Sequence, residues 1–277
     1  MFKKTLLGAV ILMGILVSGL NAGDYTIPSG YAYIKSVGGG ALKVYHKNGI
    51  YVSVLDLSKG GISVGNVDPD TNNNNSNTDD ASNKFFKHNL NYWWNNQNTS
   101  NRIGIFNGQF FSDEGSNKTG LSFPLRSFWH NINTQSDHNG RRTLKVYSNG
   151  ETKILDGYTW MYLSGSKELI AGLNPNQNKS SWASIGRHYI GGIPKYDNVF
   201  LSDLKYLLFF IAKNKNQSSM DSEMNKWGIS SFNRIMMDGS GSSQMKIGNL
   251  SVYGSNWHYF THPDYRSIPN VIEVYSK

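Results

Sequence analysis

The chain has 277 residues, 0 cysteines, 7 tryptophans, 16 tyrosines and a formal net charge of +8. Without cysteine there is no disulfide framework, thiolate nucleophile or thiolate metal site, so packing alone holds the core together. The positive charge favours anionic partners, but Arg141 and Arg142 in "NGRRTLK" lack neighbouring aromatics and read as a solvated strand edge, which argues against nucleic acid.

The amino terminus, "MFKKTLLGAVILMGILVSGLNAGDY", sets Lys3 and Lys4 before an uncharged run and then Asn21-Ala22-Gly23. This is the pattern of a signal peptide, residues 1–22, cut after Ala22, and it predicts a secreted or periplasmic protein with no stable membrane insertion after cleavage. Leu20 is large for the position three before the cut, so an uncleaved anchor stays open as the alternative. Residues 23–44 form an amino-terminal segment, and 45–277 read as one domain.

Residues 41–67 alternate apolar and polar side chains around Asn48-Gly49, a dipeptide suited to a two-residue hairpin turn. Two more hairpins are expected around Asn149-Gly150 and Gly248-Asn249. Directly after the first hairpin, residues 68–83, "DPDTNNNNSNTDDASN", form a polar insertion predicted to be a disordered surface loop with no residue able to enter a core. Asp68, Asp70, Asn72 and Asp79 fit part of a calcium-loop template, but its turn glycine and bidentate glutamate are absent.

Helix is expected in two places. "LSDLKYLLFFIAKN" follows a capping candidate, Ser202, with apolar Leu204, Leu207, Leu208 and Ile211 at helical spacing. "SSMDSEMNKWG" spaces Met220, Met224 and Trp227 on one face and stops at Gly228. Hairpins with two late helices predict an α+β fold, a largely antiparallel or mixed sheet with the helices packed on it, in a single domain.

Three segments carry the candidate chemistry. In "NRIGIFNGQFFSDEG" a buried strand breaks at Asn107-Gly108. In "NRIMMDGSGSSQMKIG" an apolar strand runs into Asp238, after which Gly239 and Gly241 allow close backbone approach and Ser240, Ser242 and Ser243 supply hydroxyls for an anion. In "HPDYRSIPNVIEVYSK" Arg266 precedes Pro269-Asn270 and a last strand. The Lys-Ser/Thr pair of a P-loop and the G-x-S-x-G of a nucleophile elbow are both missing. The histidines, among them His130, His138, His258 and His262, show no metal-binding pair on a helix, and neither metal nor cofactor is expected.

In this order, Asn107-Gly108-Gln109-Phe110-Phe111, Met237-Asp238-Gly239-Ser240-Gly241-Ser242-Ser243 and Arg266-Ser267-Ile268-Pro269-Asn270 resemble the phosphodiester glycosidase family. That family shows Asn-Gly-Gly-Phe-Phe, Leu-Asp-Gly-Gly-Gly-Ser-Ser and an Arg before Pro-Asn. Gln109 and Ser240 stand where it has glycine, and its middle Arg-Thr motif survives only as Trp182-Ala183-Ser184-Ile185-Gly186-Arg187.

The resemblance implies hydrolysis of the anomeric C–O bond of a sugar-1-phosphodiester in a phosphorylated glycan. Asp238 would be the carboxylate of the oxocarbenium-like step and Asn107 would orient it or a sugar hydroxyl. Gly108, Gly239, Gly241, Ser242 and Ser243 would bind substrate, with Arg266 or Arg187 on the phosphate. A second carboxylate is unassigned, Asp113 and Glu114 being nearest. A glycan-binding protein without turnover and a phosphodiesterase cutting P–O remain the alternatives.

Overall fold

The computed structural model describes residues 25–71, 83–96, 100–111, 116–133, 140–157, 165–177, 185–196, 202–254 and 267–277. The leader, residues 72–82 of the insertion, Asp113, Glu114, His138, residues 182–184, His258, His262 and Arg266 lie outside them.

The strands of the first half are β1 (Ala32–Val37), β2 (Leu42–Lys47), β3 (Ile50–Asp56), β4 (Gly60–Val67), β5 (Phe85–Phe86), β6 (Arg102–Asn107), β7 (Lys118–Thr119), β8 (Leu125–Ser127) and β9 (His130–Asn133). They continue as β10 (Arg141–Tyr147), β11 (Thr152–Asp156), β12 (Ser166–Leu173), β13 (Ile185–Pro194), β14 (Leu204–Lys215), β15 (Arg234–Met236), β16 (Gln244–Ile247), β17 (Leu250–Tyr253) and β18 (Asn270–Ser276). The helices are α1 (Leu90–Asn96) and α2 (Gln217–Lys226). One sheet runs β1-β2-β3-β14-β13-β15-β12-β10-β11, with β8 and β9 attached at β12. A second runs β17-β16-β6-β18-β4, β5 and β7 form a separate two-stranded ribbon, and every described pair is antiparallel. The fold is therefore mostly β rather than α+β.

The sheets face each other across a shared core in which Leu207, Phe209, Ile211 and Met237 meet Val64, Phe106, Met245 and Ile272. On the far side of the large sheet, Leu208, Phe210 and Ala212 pack with Met220, Met224 and Trp227 of α2 and its flank. On the far side of the small sheet, Leu90 and Trp93 of α1 cover Ile105, Ile268 and Val271. The order is helix, sheet, sheet, helix.

This layering corrects the first helix expectation. Residues Leu204–Lys215 are the long strand β14, not a helix. Odd residues of its central part face the second sheet and even ones face α2, so both strand faces are apolar and the run satisfies a helical template by accident. The second expectation holds. Asn216 is extended and its side chain accepts the Ser219 N–H, Met220, Met224 and Trp227 are buried, and Gly228 closes α2 at φ 76. Ile229 N–H reaches Met224 O and Gly228 N–H reaches Asn225 O, the paired bonds of a Schellman ending.

All three hairpins form. Asn48 and Gly49 both take positive φ, 48 and 79, as a type I′ turn requires. Gly248 alone is positive in its two-residue turn, the type II′ arrangement. At Asn149-Gly150 the loop has three residues, closed by Gly150 N–H to Tyr147 O, with only Gly150 left-handed.

Two surface expectations change. Arg142 is only 1% exposed, because β11 pairs outside β10; its Nε lies 2.9 Å from Asp156 and its Nη1 donates to Ser231 O at 2.6 Å. Arg141 lies over the Phe123 ring at 4.0 Å. The polar insertion is anchored at both ends: Asp70 is fully buried and pairs with Lys118 at 2.7 Å, and Asn83 is buried too. A charge paired on burial can enter a core that an unpaired one cannot.

Candidate active site

The end of β6 supplies Asn107, Gly108 and Gln109. Asn107 is buried, and its amide is held entirely by main chain: Nδ2 donates to Asp238 O at 2.8 Å, and Oδ1 accepts Gln244 N–H at 3.0 Å. Asp238 N–H in turn reaches Gly108 O at 3.4 Å. The strand carrying Asp238 is thus tied to β6 and β16 around a half-buried carboxylate. Asn107 thus meets the Asp238 backbone rather than its carboxylate.

Gly108 donates its N–H to Asn270 O at 3.0 Å, and a Cβ at Gly108 would fall inside the Asn270 amide. Gln109 N–H donates to Asn270 Oδ1 at 3.0 Å, while Gln109 Oε1 accepts Phe123 N–H at 2.8 Å. Each side-chain oxygen is engaged by a backbone donor, which fixes both amide orientations. The remaining nitrogens, Gln109 Nε2 and Asn270 Nδ2, are buried without a partner among the described residues.

After Asp238 the chain turns tightly through Ser240–Ser242, with Ser242 N–H bonded to Gly239 O at 3.0 Å. That N–H serves the turn rather than an anion. The hydroxyls of Ser242 and Ser243 are fully buried and have no partner among the described residues. Gly241 comes just before them in the chain and is half-buried. Gly239 touches β13, since a Cβ there would come 2.9 Å from Gly186 O.

Arg187, next to Gly186, is 3% exposed and its Nε donates to Lys215 O at 3.2 Å. Burial holds its guanidinium below the ordinary pKa. His188 follows on the opposite face, fully buried with Phe106 stacked at 6.2 Å and Met237 N–H bonded to its carbonyl at 3.0 Å. Burial pushes its pKa down to about 3, outweighing the nearby Asn107 backbone, so the ring is neutral at ordinary pH.

Asn107, Gly108, Asp238, Gly239, Ser242 and Ser243 therefore gather at one end of the sandwich, with Arg187 adjacent; Arg266 lies outside the described residues. Sequence reasoning gave no role to Gln109, His188 or Asn270. Asn270 had a visible signal, a polar residue beside Pro269 at the head of an apolar strand. His188 had a fainter one, a polar residue inside a strand of aromatic and β-branched neighbours. The cluster presents one carboxylate among neutral donors, an arrangement suited to a ligand rich in acceptor oxygens.

No family model matches the chain, and no curated protein matches it. Among solved structures, it is similar to the catalytic domain of zebrafish N-acetylglucosamine-1-phosphodiester alpha-N-acetylglucosaminidase, auto-inhibited by pro-peptide. That alignment has a TM-score of 0.52 at 12% identity and covers 89% of this chain and 82% of that one. A hypothetical protein from Synechocystis aligns over 89% of this chain and 61% of its own, at 7% identity and TM-score 0.48. The likeness to the zebrafish domain is one of fold.

Proposed function

We propose that the protein is an exported glycosidase that hydrolyses the anomeric C–O bond of a sugar-1-phosphodiester in a phosphorylated glycan. The observation that carries this reading is the meeting of Asn107-Gly108-Gln109, Asp238-Gly239 and Asn270 in one hydrogen-bonded cluster. The fold shared with a phosphodiester glycosidase catalytic domain supports it.

A phosphate monoester is a good leaving group, so the bond to the anomeric carbon needs little protonation. The need is for negative charge beside the oxocarbenium-like centre, which Asp238 supplies, and for donors to the phosphate oxygens. The amide nitrogens of Gln109 and Asn270 and the Ser242 and Ser243 hydroxyls are such donors. Arg187 and Arg266 are the candidate cations for the phosphate. Water adds to the anomeric carbon, giving a free sugar and a phosphate monoester.

A second reading, a glycan-binding module without turnover, rests on Phe128 and Trp129. Both take positive φ, 43 and 75, at the β8–β9 turn and stand about half exposed, a strained conformation that displays two aromatic faces. The test is incubation with sugar-1-phosphodiesters in ¹⁸O water. Label in the released sugar supports the glycosidase, label in phosphate means P–O cleavage, and binding without release favours the module.

A further inference from the structure

We propose that a basic groove between the β2–β3 turn and α2 is a second anion subsite, so that the substrate is a glycan polymer bearing phosphate on more than one unit. This rests on the glycosidase reading above. The groove encloses about 290 Å³ and is lined by Lys47, Lys215, Lys226, Ser219, Ser222 and Glu223, among others.

The position of Lys215 follows from an irregularity in β14. Ile185 lies opposite Lys215, but Arg187 lies opposite Ala212, so β14 carries one residue more than β13 between these pairs. Asn214, inside the extra stretch, is left-handed at φ 49. A bulge of this kind re-aims the side chains beyond it, and here Lys215 lines the groove. Lys47 donates to Ser29 O at 2.7 Å and Lys226 pairs with Glu223 at 2.9 Å, whereas the Lys215 ammonium has no acidic partner among the described residues. Three ammonium groups against one carboxylate leave a positive surplus in a concave site. Their mutual repulsion does nothing for folding and is relieved by a bound anion.

The groove joins the Asp238 cluster through the main chain. The Lys215 carbonyl accepts Arg187 Nε, Arg187 follows Gly186, and the Gly186 carbonyl meets Gly239. From the other side, a Cβ on Gly254 would meet both the Ala212 carbonyl and Ser243 Cβ, and Lys215 lies three residues beyond Ala212, a rise of about 10 Å. One phosphodiester cannot occupy both places. A chain of glycosyl phosphates running from the Asp238 end along Arg187 can.

The test compares affinities for an oligo(glucosyl phosphate), its single-repeat phosphodiester and an uncharged glucan of equal length, using wild type, Lys215→Glu and, as a control elsewhere on the strand end, Lys213→Glu. Melting temperature checks the fold of each variant, and Lys215→Gln replaces the reversal if that variant is unstable. Wild type is expected to prefer the oligomer to the single repeat, with the preference shrinking as salt rises. Lys215→Glu should lower that preference about tenfold, with Lys213→Glu changing it far less. Turnover of the single repeat with no oligomer preference, or a preference unmoved by Lys215→Glu, overturns the subsite and leaves the glycosidase reading standing. Neither binding nor turnover of either phosphodiester removes both. A parallel arm with anionic phospholipid vesicles covers the other source of phosphate: vesicle binding lost in Lys215→Glu, with the oligomer preference intact, overturns the polymer in favour of a lipid surface.

Discussion

Two buried polar clusters, one in the large sheet and one at the end of the small sheet, differ in how they use their hydrogen-bonding groups. Around Arg142 and Arg234, the guanidinium groups are turned on the protein itself. Arg142 holds Asp156, Ser231 O and Arg234 O, and Arg234 holds Asn225, Ile229 O and Asp221. Around Asn107 and Asn270, the acceptors are engaged by backbone N–H groups, but Gln109 Nε2, Asn270 Nδ2 and two serine hydroxyls are buried without partners among the described residues. Burying donors without partners costs stability, of the order of 1–3 kcal/mol each where no water intervenes. The first cluster ties β10, β11 and β15 together; the second leaves donors uncommitted at a strand end, which is what the proposed substrate site requires.

The largest expected effect breaks the first cluster. Arg142→Met removes three hydrogen bonds at once, to Ser231 O, Arg234 O and a half-exposed Asp156 that keeps Asn174, and unfolding in denaturant should show a loss of about 3 kcal/mol. Catalytic activity per folded molecule should survive. Asp238→Asn should do the reverse, keeping the Asn107 and Gly108 bonds, which involve only the Asp238 backbone, while turnover falls by at least about a hundredfold. A folded Asp238→Asn protein with full activity rules out the carboxylate role.

The third prediction uses His188. Its folded pKa of about 3 lies below the ordinary value of 6.5, so between these limits the unfolded chain binds the extra proton. Its contribution is complete above pH 6.5 and is lost as pH falls toward 3, with a slope near 1.4 kcal/mol per unit. Denaturant midpoints for His188→Phe, which keeps a ring beside Phe106, should therefore vary less over that acid range than those of wild type. Equal slopes would mean that the ring titrates normally.

The smallest effect on stability is expected of Ser242→Ala. The variant removes only a buried hydroxyl that has no partner among the described residues, so on the donor-removal argument stability changes by less than about 1 kcal/mol. Binding of an anionic substrate should weaken about tenfold, because a donor to it is lost. A KM equal to wild type would show that Ser242 faces structure rather than substrate.

Adjacent segments show how far the sequence could be read. α2 was legible because one face is apolar and its ends carry local chemistry, Asn216 at the start and Gly228 at the stop. β14, immediately before it, was not, because burial on both faces erases the two-residue period that separates strand from helix. α1 escaped notice because it is short and rich in Asn; packing of Leu90 and Trp93 and the Asn89 cap hold it. At the site, Asn107 and Asp238 stand out where apolar strands end in glycine. Gln109 and His188 could not, since their meaning depends on Phe123 and Phe106, neighbours that the fold supplies.

The place of β18 has a consequence for the order of folding. It lies between β6 and β4, pairing Asn270 with Val67 and Val271 with Asn107, so the small sheet is joined by contacts between distant parts of the chain. Such pairings carry a loop-closure cost before any reward, and they slow the search. Until β18 has emerged, β4 and β6 have no strand between them, and Val64 and Phe106 lack the Ile272 and Val274 side chains that complete their core. A growing chain therefore passes through a long interval as an open half-sandwich, with two unpaired strand edges available to chaperones or to other copies of itself.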